Sequence, residues 1–201
     1  MQILRDRIAA NLAAFPRVAI ERSDLRRAAV AILISPFDGE PSFAITRRAS
    51  TLRRGAGNYA LPGGACDPGE GAVAAALRET AEELGIFLDP VAALGSLDDF
   101  VTLTGFVVTP VVLWADMPLT LAPDPVEVGE AWLNPLSELD HPETPHWEPN
   151  PEGGPLIPQM RIRGRWMNPP TAAWLYQFRE VALNGRWTRV ADLGQPVWTA
   201  R

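Results

Sequence analysis

Apolar positions recur along the chain in two rhythms. In RRAAVAILIS (26–35) and PSFAITRR (41–48) β-branched and aromatic residues run almost unbroken on either side of the turn residues PFDGE, which predicts two strands joined as a hairpin. VAALGSLDDF (91–100) and TGFVVTPVVLWAD (104–116) share that character, and EAWLNPLSELDH (130–141) predicts a short strand running into a helix. The helical rhythm occupies three places. MQILRDRIAANLAAF opens residues 1–24 as an amphipathic N-terminal extension, and residues 71–84 form a helix closed by Gly85. Residues 166–185 form a last helix, with Asn168 as cap, Pro169 and Pro170 at its first positions and Asn184-Gly185 as its stop. Two stretches fit neither rhythm. Residues 53–71 hold six glycines and two prolines and predict a loop with a demanding backbone; residues 141–158 hold six prolines and two glycines and predict a long irregular loop. Strands and helices alternate without long parallel-type repeats, so 1–201 is expected to form one α/β domain.

Composition narrows the function classes. With 47% apolar and 21% charged residues the chain can bury a core and is not disordered throughout. Its formal net charge is −6 and all 18 basic residues are arginine, which argues against a surface that coats nucleic acid and favours local grip on an anion. The single cysteine, Cys66, excludes an intrachain disulfide, and a reducing, cytoplasmic interior is the expected compartment. The longest apolar run, from Phe106, contains Pro110 and is too short to cross a bilayer.

The chemistry concentrates in GGACDPGEGAVAAALRETAEELGI (63–86). Glu79, Glu82 and Glu83 fall within one and a half helical turns, opposite a side formed by Val73, Leu77, Thr80, Ala81 and Leu84 that is expected to pack on the sheet. Like charges at these spacings repel by a few tenths of a kcal/mol per pair, roughly. Only Arg78 is near enough in sequence to offset them. On the residues alone a solvated acidic face is the commoner arrangement, and a divalent cation with hard oxygen ligands is the alternative.

The spacing Gly64, Glu70, Arg78-Glu79, Glu82-Glu83, Gly85-Ile86 resembles the Nudix box, G-x5-E-x7-R-E-U-x-E-E-x-G-U with U aliphatic, at every fixed position. Thr80 replaces one aliphatic residue, where its methyl can pack and its hydroxyl can bond the backbone a turn earlier. The resemblance implies the Nudix fold, an α/β/α sandwich with a mixed central sheet, and hydrolysis of a nucleoside diphosphate linked to another group. It implies Glu82 and Glu83 as main Mg2+ (or Mn2+) ligands, Glu79 as a further ligand or general base, the Gly64 carbonyl as a loop ligand, and Glu70 assisting. Arg78 is implied as the residue that orients neighbouring glutamates, and Glu127, 44 residues past Glu83, is an outside candidate for the base. His141, His146 and Cys66 are expected to have no part in the chemistry.

Upstream, ITRRASTLRRGAGNYALPGG resembles L-T-x-R-[SA]-x3-R-x3-G-x3-F-P-G-G, a signature of the coenzyme A diphosphatase branch, with Ile45 for Leu and Leu61 for Phe. Arg47, Arg48 and Arg53 would then hold the anionic substrate. The implied reaction converts coenzyme A or an acyl derivative to adenosine 3′,5′-bisphosphate and a phosphopantetheine product. The alternatives are another nucleoside diphosphate derivative (ADP-ribose, a dinucleotide or a nucleoside triphosphate) and a nucleotide-binding regulator without turnover. The expected partner is a small nucleotide, with neither nucleic acid nor membrane, and a homodimer is left open. The 141–158 loop is expected to shape the pocket for the non-nucleotide part.

Overall fold

The computed structural model describes residues 1–52 and 55–200. Strands β1 (Arg26–Phe37) and β2 (Glu40–Arg48) form the predicted hairpin. Asp38 and Gly39 between them have φ of 51° and 78°, the two left-handed residues that a tight turn matching the strand twist requires. β3 (Tyr59–Ala60) and β4 (Gly63–Ala65) are short strands inside the glycine-rich stretch, which is therefore not loop throughout. Helix α2 (Ala72–Leu84) follows, then β5 (Ala93–Ser96), β6 (Phe100–Val101), β7 (Phe106–Trp114) and β8 (Val128–Pro135). β1 runs parallel to β7, from Arg26 beside Phe106 to Ile34 beside Trp114. All other pairings are antiparallel: β3 and β8 on β2, β4 on β1, β5 and β6 on β7. The result is an eight-stranded mixed sheet.

Side chains alternate across this sheet, which gives it two buried faces. Val30, Ile32 and Ile34 of β1 and Phe43 and Ile45 of β2 face one side, covered by helices α1 (Gln2–Ala14) and α3 (Thr171–Gln177) through Ile8, Leu12, Trp174 and Leu175. Ala29, Ala31, Leu33 and Ala44 face the other, where Ala75, Ala76 and Leu84 of α2 pack. Alanine meets alanine across that second interface, so α2 lies close to the sheet. Helices on both faces of a mixed sheet make the expected α/β/α sandwich.

Several expectations change in detail. The N-terminal helix ends at Ala14 and not near residue 24, because Phe15 precedes a proline and turns extended. Residues 141–158 are not irregular throughout: β9 (His146–Glu148) pairs with β10 (Ile157–Ile162), which pairs with β11 (Arg165–Met167), giving a separate three-stranded sheet. The last helix accordingly starts at Thr171 and not at 166, with Pro170 as its cap residue; the Asn168 side chain accepts from Gln159 Nε2 at 2.9 Å instead of capping. It continues as a wider π turn over Phe178–Leu183 and stops at Gly185, whose φ is 66°. The helix expected after β8 is a single 3-10 turn, Leu136–Asp140.

Candidate functional site

The acidic helix is fixed at its C-terminal end and along its buried side. Gly85 adopts φ 67° and donates to Ala81 O, the left-handed stop that glycine supplies without strain. Thr80 is buried and its hydroxyl donates to Ala76 O at 2.7 Å, as its sequence position suggested. The expected facing is corrected, however. Glu79 and Glu83 are buried, at 9% and 3% exposure, along the same stripe as Ala75, Ala76 and Leu84, whereas Val73, Leu77 and Ala81 are only half-buried. Small alanines bring the helix close to the sheet, and the two carboxylates are carried in beside them against β4.

Arg78 organises the remaining acids. Its Nε and Nη2 donate to Glu70 Oε1 and Oε2 at 3.0 Å each, its Nη1 to Glu79 Oε1 at 2.8 Å and Glu82 Oε2 at 2.9 Å, and its Nη2 also to Ala65 O at 2.9 Å. The five N–H donors of the fork serve three carboxylates and a carbonyl at once, more bonds than the three donors of a lysine could make. Both oxygens of Glu70 are thereby occupied, and Asp67 N donates to one of them as well. Among the described residues the Glu83 carboxylate has no such partner and accepts one hydrogen bond, a long one of 3.4 Å from Gly63 N. Burial, then the neighbouring Glu79 charge, push its carboxyl up to about 8, with Arg48 and the Gly63 amide opposing. Glu79 is pushed up as well, mainly by burial, against the pull of Arg78.

The two glycines of β4 lie where the sheet and the carboxylates meet. A Cβ on Gly63 would fall 2.3 Å from Ala29 O and 2.7 Å from Val30 Cα, so β4 can pair with β1 there only as glycine. A Cβ on Gly64 would fall 2.3 Å from Glu79 Oε1 and 2.5 Å from Glu79 Cδ. The loop before β8 is tied to the end of α2, with Ala122 N donating to Leu84 O at 2.9 Å and Asp124 N to Glu83 O at 3.0 Å. That anchoring carries Glu127, itself exposed, near enough for its charge to raise both Glu79 and Glu83.

Donor chemistry here suits a divalent cation: two buried carboxylates made costly to ionise, one of them lacking a cationic hydrogen-bond partner among the described residues, beside a glycine backbone. Arg78 draws Glu70, Glu79 and Glu82 together, and among the described residues no group of three His, Cys, Asp or Glu side chains is arranged to hold a metal as it stands. Glu82, half-exposed, would have to leave Arg78 to join Glu83.

A cavity of ≈ 570 Å3 opens beside this cluster, lined by Gly63, Gly64 and Arg48 at one part and by Tyr59, Trp166 and Trp174 elsewhere. Alternation along β2 separates the two arginines predicted to hold anion. Arg48 lines the cavity and its charge reaches Glu83, whereas Arg47 forms a cross-strand ion pair with Glu130 of β8. Arg53 lies outside the described residues. His141 and His146 stand apart from the glutamates, His141 beside Glu143 and Arg161 and His146 against the Trp166 ring.

The NUDIX domain family matches residues 25–156, which includes the whole glutamate cluster, the glycine strand and the Glu127 loop. The chain belongs to the Nudix family. A Cronobacter sakazakii protein called Uncharacterized Nudix hydrolase NudL is 40% identical over 126 residues, covering 61% of this chain and 65% of that protein. Its namesake from Escherichia coli (strain K12) is 38% identical over 129 residues, covering 63% and 66%. The chain thus matches a little under two thirds of the length of these curated relatives. Among solved structures, a NUDIX hydrolase from Alicyclobacillus acidocaldarius aligns with a TM-score of 0.52 at 18% identity over 83% of this chain and 95% of that one. A MutT/nudix family protein from Enterococcus faecalis aligns with a TM-score of 0.50 at 16% identity over 82% and 62%. Those identities speak for the fold alone. No helix among the described residues is long and apolar enough to cross a membrane.

In this Nudix chain, Gly64, Glu70, Arg78, Glu79, Glu82 and Glu83 come together as one cluster, and Glu127 approaches it from a separate loop. Sequence reasoning missed the aromatic wall of the cavity and two arginines beside it, Arg163 and Arg165, which stand over Trp132 and Tyr59. The only local signal for the arginines was the dense RIRGR run at 161–165.

Proposed function

We propose that the protein is a magnesium- or manganese-dependent Nudix hydrolase that cleaves the diphosphate bond of coenzyme A or an acyl-coenzyme A. The observation that carries this reading is Arg48, which lines the large cavity while its charge also reaches buried Glu83. One residue of the coenzyme A-type signature thereby links the binding space to the acidic cluster. Glu82, Glu83 and Glu79, with the Gly64 carbonyl, would hold the cation. When bound, the ion neutralises the diphosphate oxygens and lowers the cost of attack at phosphorus.

The protein's own groups supply the rest. Arg78, through Glu70 and Glu79, fixes where those carboxylates point, so that they need not reorganise as charge develops, while Glu82 turns from Arg78 to the cation. Arg48 steadies the anionic substrate at the cavity wall. Glu127 is free to take a proton from the attacking water, since its loop is anchored to α2 while the side chain stays exposed. The apolar cavity walls give the pantetheine or acyl arm a place out of water.

Initial rates on coenzyme A, an acyl-coenzyme A, ADP-ribose, a dinucleotide and a nucleoside triphosphate, with Mg2+ and with Glu82→Gln as control, test this. The expected result is preferred cleavage of the coenzyme A compounds, abolished by the substitution. Brisk turnover of another compound with none of coenzyme A refutes the substrate; binding without turnover in both proteins refutes catalysis.

A further inference from the structure

The β10–β11 hairpin turns through Arg163 and Gly164, with φ of 52° and 69°. The β1–β2 hairpin makes the same kind of turn with Asp38-Gly39, the sort of pair this geometry prefers. Arginine is a poor occupant of a left-handed position, and its retention there costs free energy that a function would explain. The turn is held nonetheless: Arg163 N donates to Glu138 Oε2 at 2.8 Å.

Both hairpin arginines lie over aromatic rings. The Arg163 guanidinium is 5.3 Å from the Trp132 ring centre and that of Arg165 is 5.8 Å from Tyr59; the two rings lie 5.7 Å apart, tilted by 32°. Arg47, the cross-strand neighbour of Tyr59, and Arg161 have carboxylate partners in Glu130 and Glu143, but among the described residues the guanidinium groups of Arg163 and Arg165 have none. At these distances the rings act as cation–π partners, and among the described residues neither guanidinium donates a hydrogen bond, so the fork that grips phosphate is available. In a chain of net charge −6 this is a local positive platform. It meets the cavity at Tyr59, which lies under Arg165 and lines the cavity together with Gly63 and Gly64.

We propose that Arg163 and Arg165 bind a phosphate monoester of the substrate, remote from the diphosphate that is cleaved. The identity of that group as the 3′-phosphate of the ribose rests on the coenzyme A reading; the anion site itself rests on the hairpin.

Calorimetry on the full chain with adenosine 3′,5′-bisphosphate and with adenosine 5′-monophosphate tests the site without turnover. The bisphosphate should bind on the order of tenfold more tightly, and the Arg163→Asn, Arg165→Gln double variant should bind the two nucleotides alike. Because asparagine suits the turn, the variant's melting temperature should equal or exceed that of the wild type, which separates lost binding from lost folding. Equal binding by the wild type, or an undiminished preference in the variant, overturns the assignment. In turnover, the ratio of kcat/KM for coenzyme A over its 3′-dephospho analogue should fall about tenfold in the variant; an unaltered ratio also overturns it. If the wild type shows the bisphosphate preference but does not hydrolyse coenzyme A, the site stands and coenzyme A is refuted as substrate.

Discussion

Gly64→Ala separates the reactive geometry from the fold. The added Cβ would lie 2.3 Å from Glu79 Oε1, 2.5 Å from Cδ and 2.7 Å from Oε2, whereas ordinary contacts begin at 3.4 Å. The obstacle is the end of a side chain, so the backbone of β4 need not move; the carboxylate must shift by roughly 1 Å instead, the difference between overlap and contact. The fold should therefore survive, with a cost of about 1 kcal/mol from crowding a buried group. Activity should not. A misplacement of about 1 Å in a reacting constellation is worth on the order of a hundredfold in rate. Glu79 also shares Arg78 with Glu70 and Glu82, so the disturbance spreads. The assay is kcat with saturating Mg2+ beside a urea melt. Gly63→Ala provides the contrast, because there the Cβ meets backbone atoms of Ala29 and Val30 and β4 must come away from β1, so stability falls by several kcal/mol, roughly, before activity is considered. A Gly64→Ala protein with wild-type kcat and an unshifted melt would show that the Glu79 carboxylate has no required position.

Glu83 predicts how the metal-free protein responds to pH. Its carboxyl is raised in the fold from 4.5 to about 8, so between those values the folded state holds a proton the unfolded chain has released; the stability this group contributes is fully present below 4.5 and is lost as pH rises toward 8. Urea melts in chelator from pH 5 to 9 should show this slope in the wild type and its absence in Glu83→Gln; parallel profiles would refute it. Arg78→Ala should lower kcat by about 10- to 100-fold, and Arg78→Lys should recover little, because a point charge cannot hold three carboxylates as the fork does; full recovery in steady-state rates would reduce Arg78 to a simple countercharge. Asp99, 1% exposed, accepts from Arg17, Arg27, Thr109 and Ile20 N, so Asp99→Ala should cost about 3 kcal/mol in denaturant melts, with kcat per folded molecule retained.

What the sequence disclosed and what it hid divide along physical lines. The first hairpin and the span of α2 were legible because each is decided within a few residues, by an Asp-Gly turn or a left-handed Gly85. The facing of α2 was legible only in part: Thr80 and Leu84 are buried as expected, but Glu79 and Glu83 are buried as well. A helical wheel ranks positions by hydrophobicity, and Val73 and Leu77 outrank Ala75 and Ala76; the sheet selects by size instead, because Ala29, Ala31 and Ala44 leave room only for a close, flat contact. Glu79 and Glu83 are buried by that same choice, so the feature that makes the acids reactive is a consequence of small residues on other strands. The proline-rich stretch misled for a related reason: β9 exists through pairing of His146 with Gln159 and Glu148 with Ile157, contacts that no local pattern encodes. Arg163 and Arg165 make the case sharpest. As charges they were visible in RIRGR, but their neighbours Trp132 and Tyr59 arrive from β8 and β3, and the strained φ of Arg163 exists only once the hairpin closes. A site assembled from three distant segments leaves in any one of them a composition, while the chemistry belongs to their meeting.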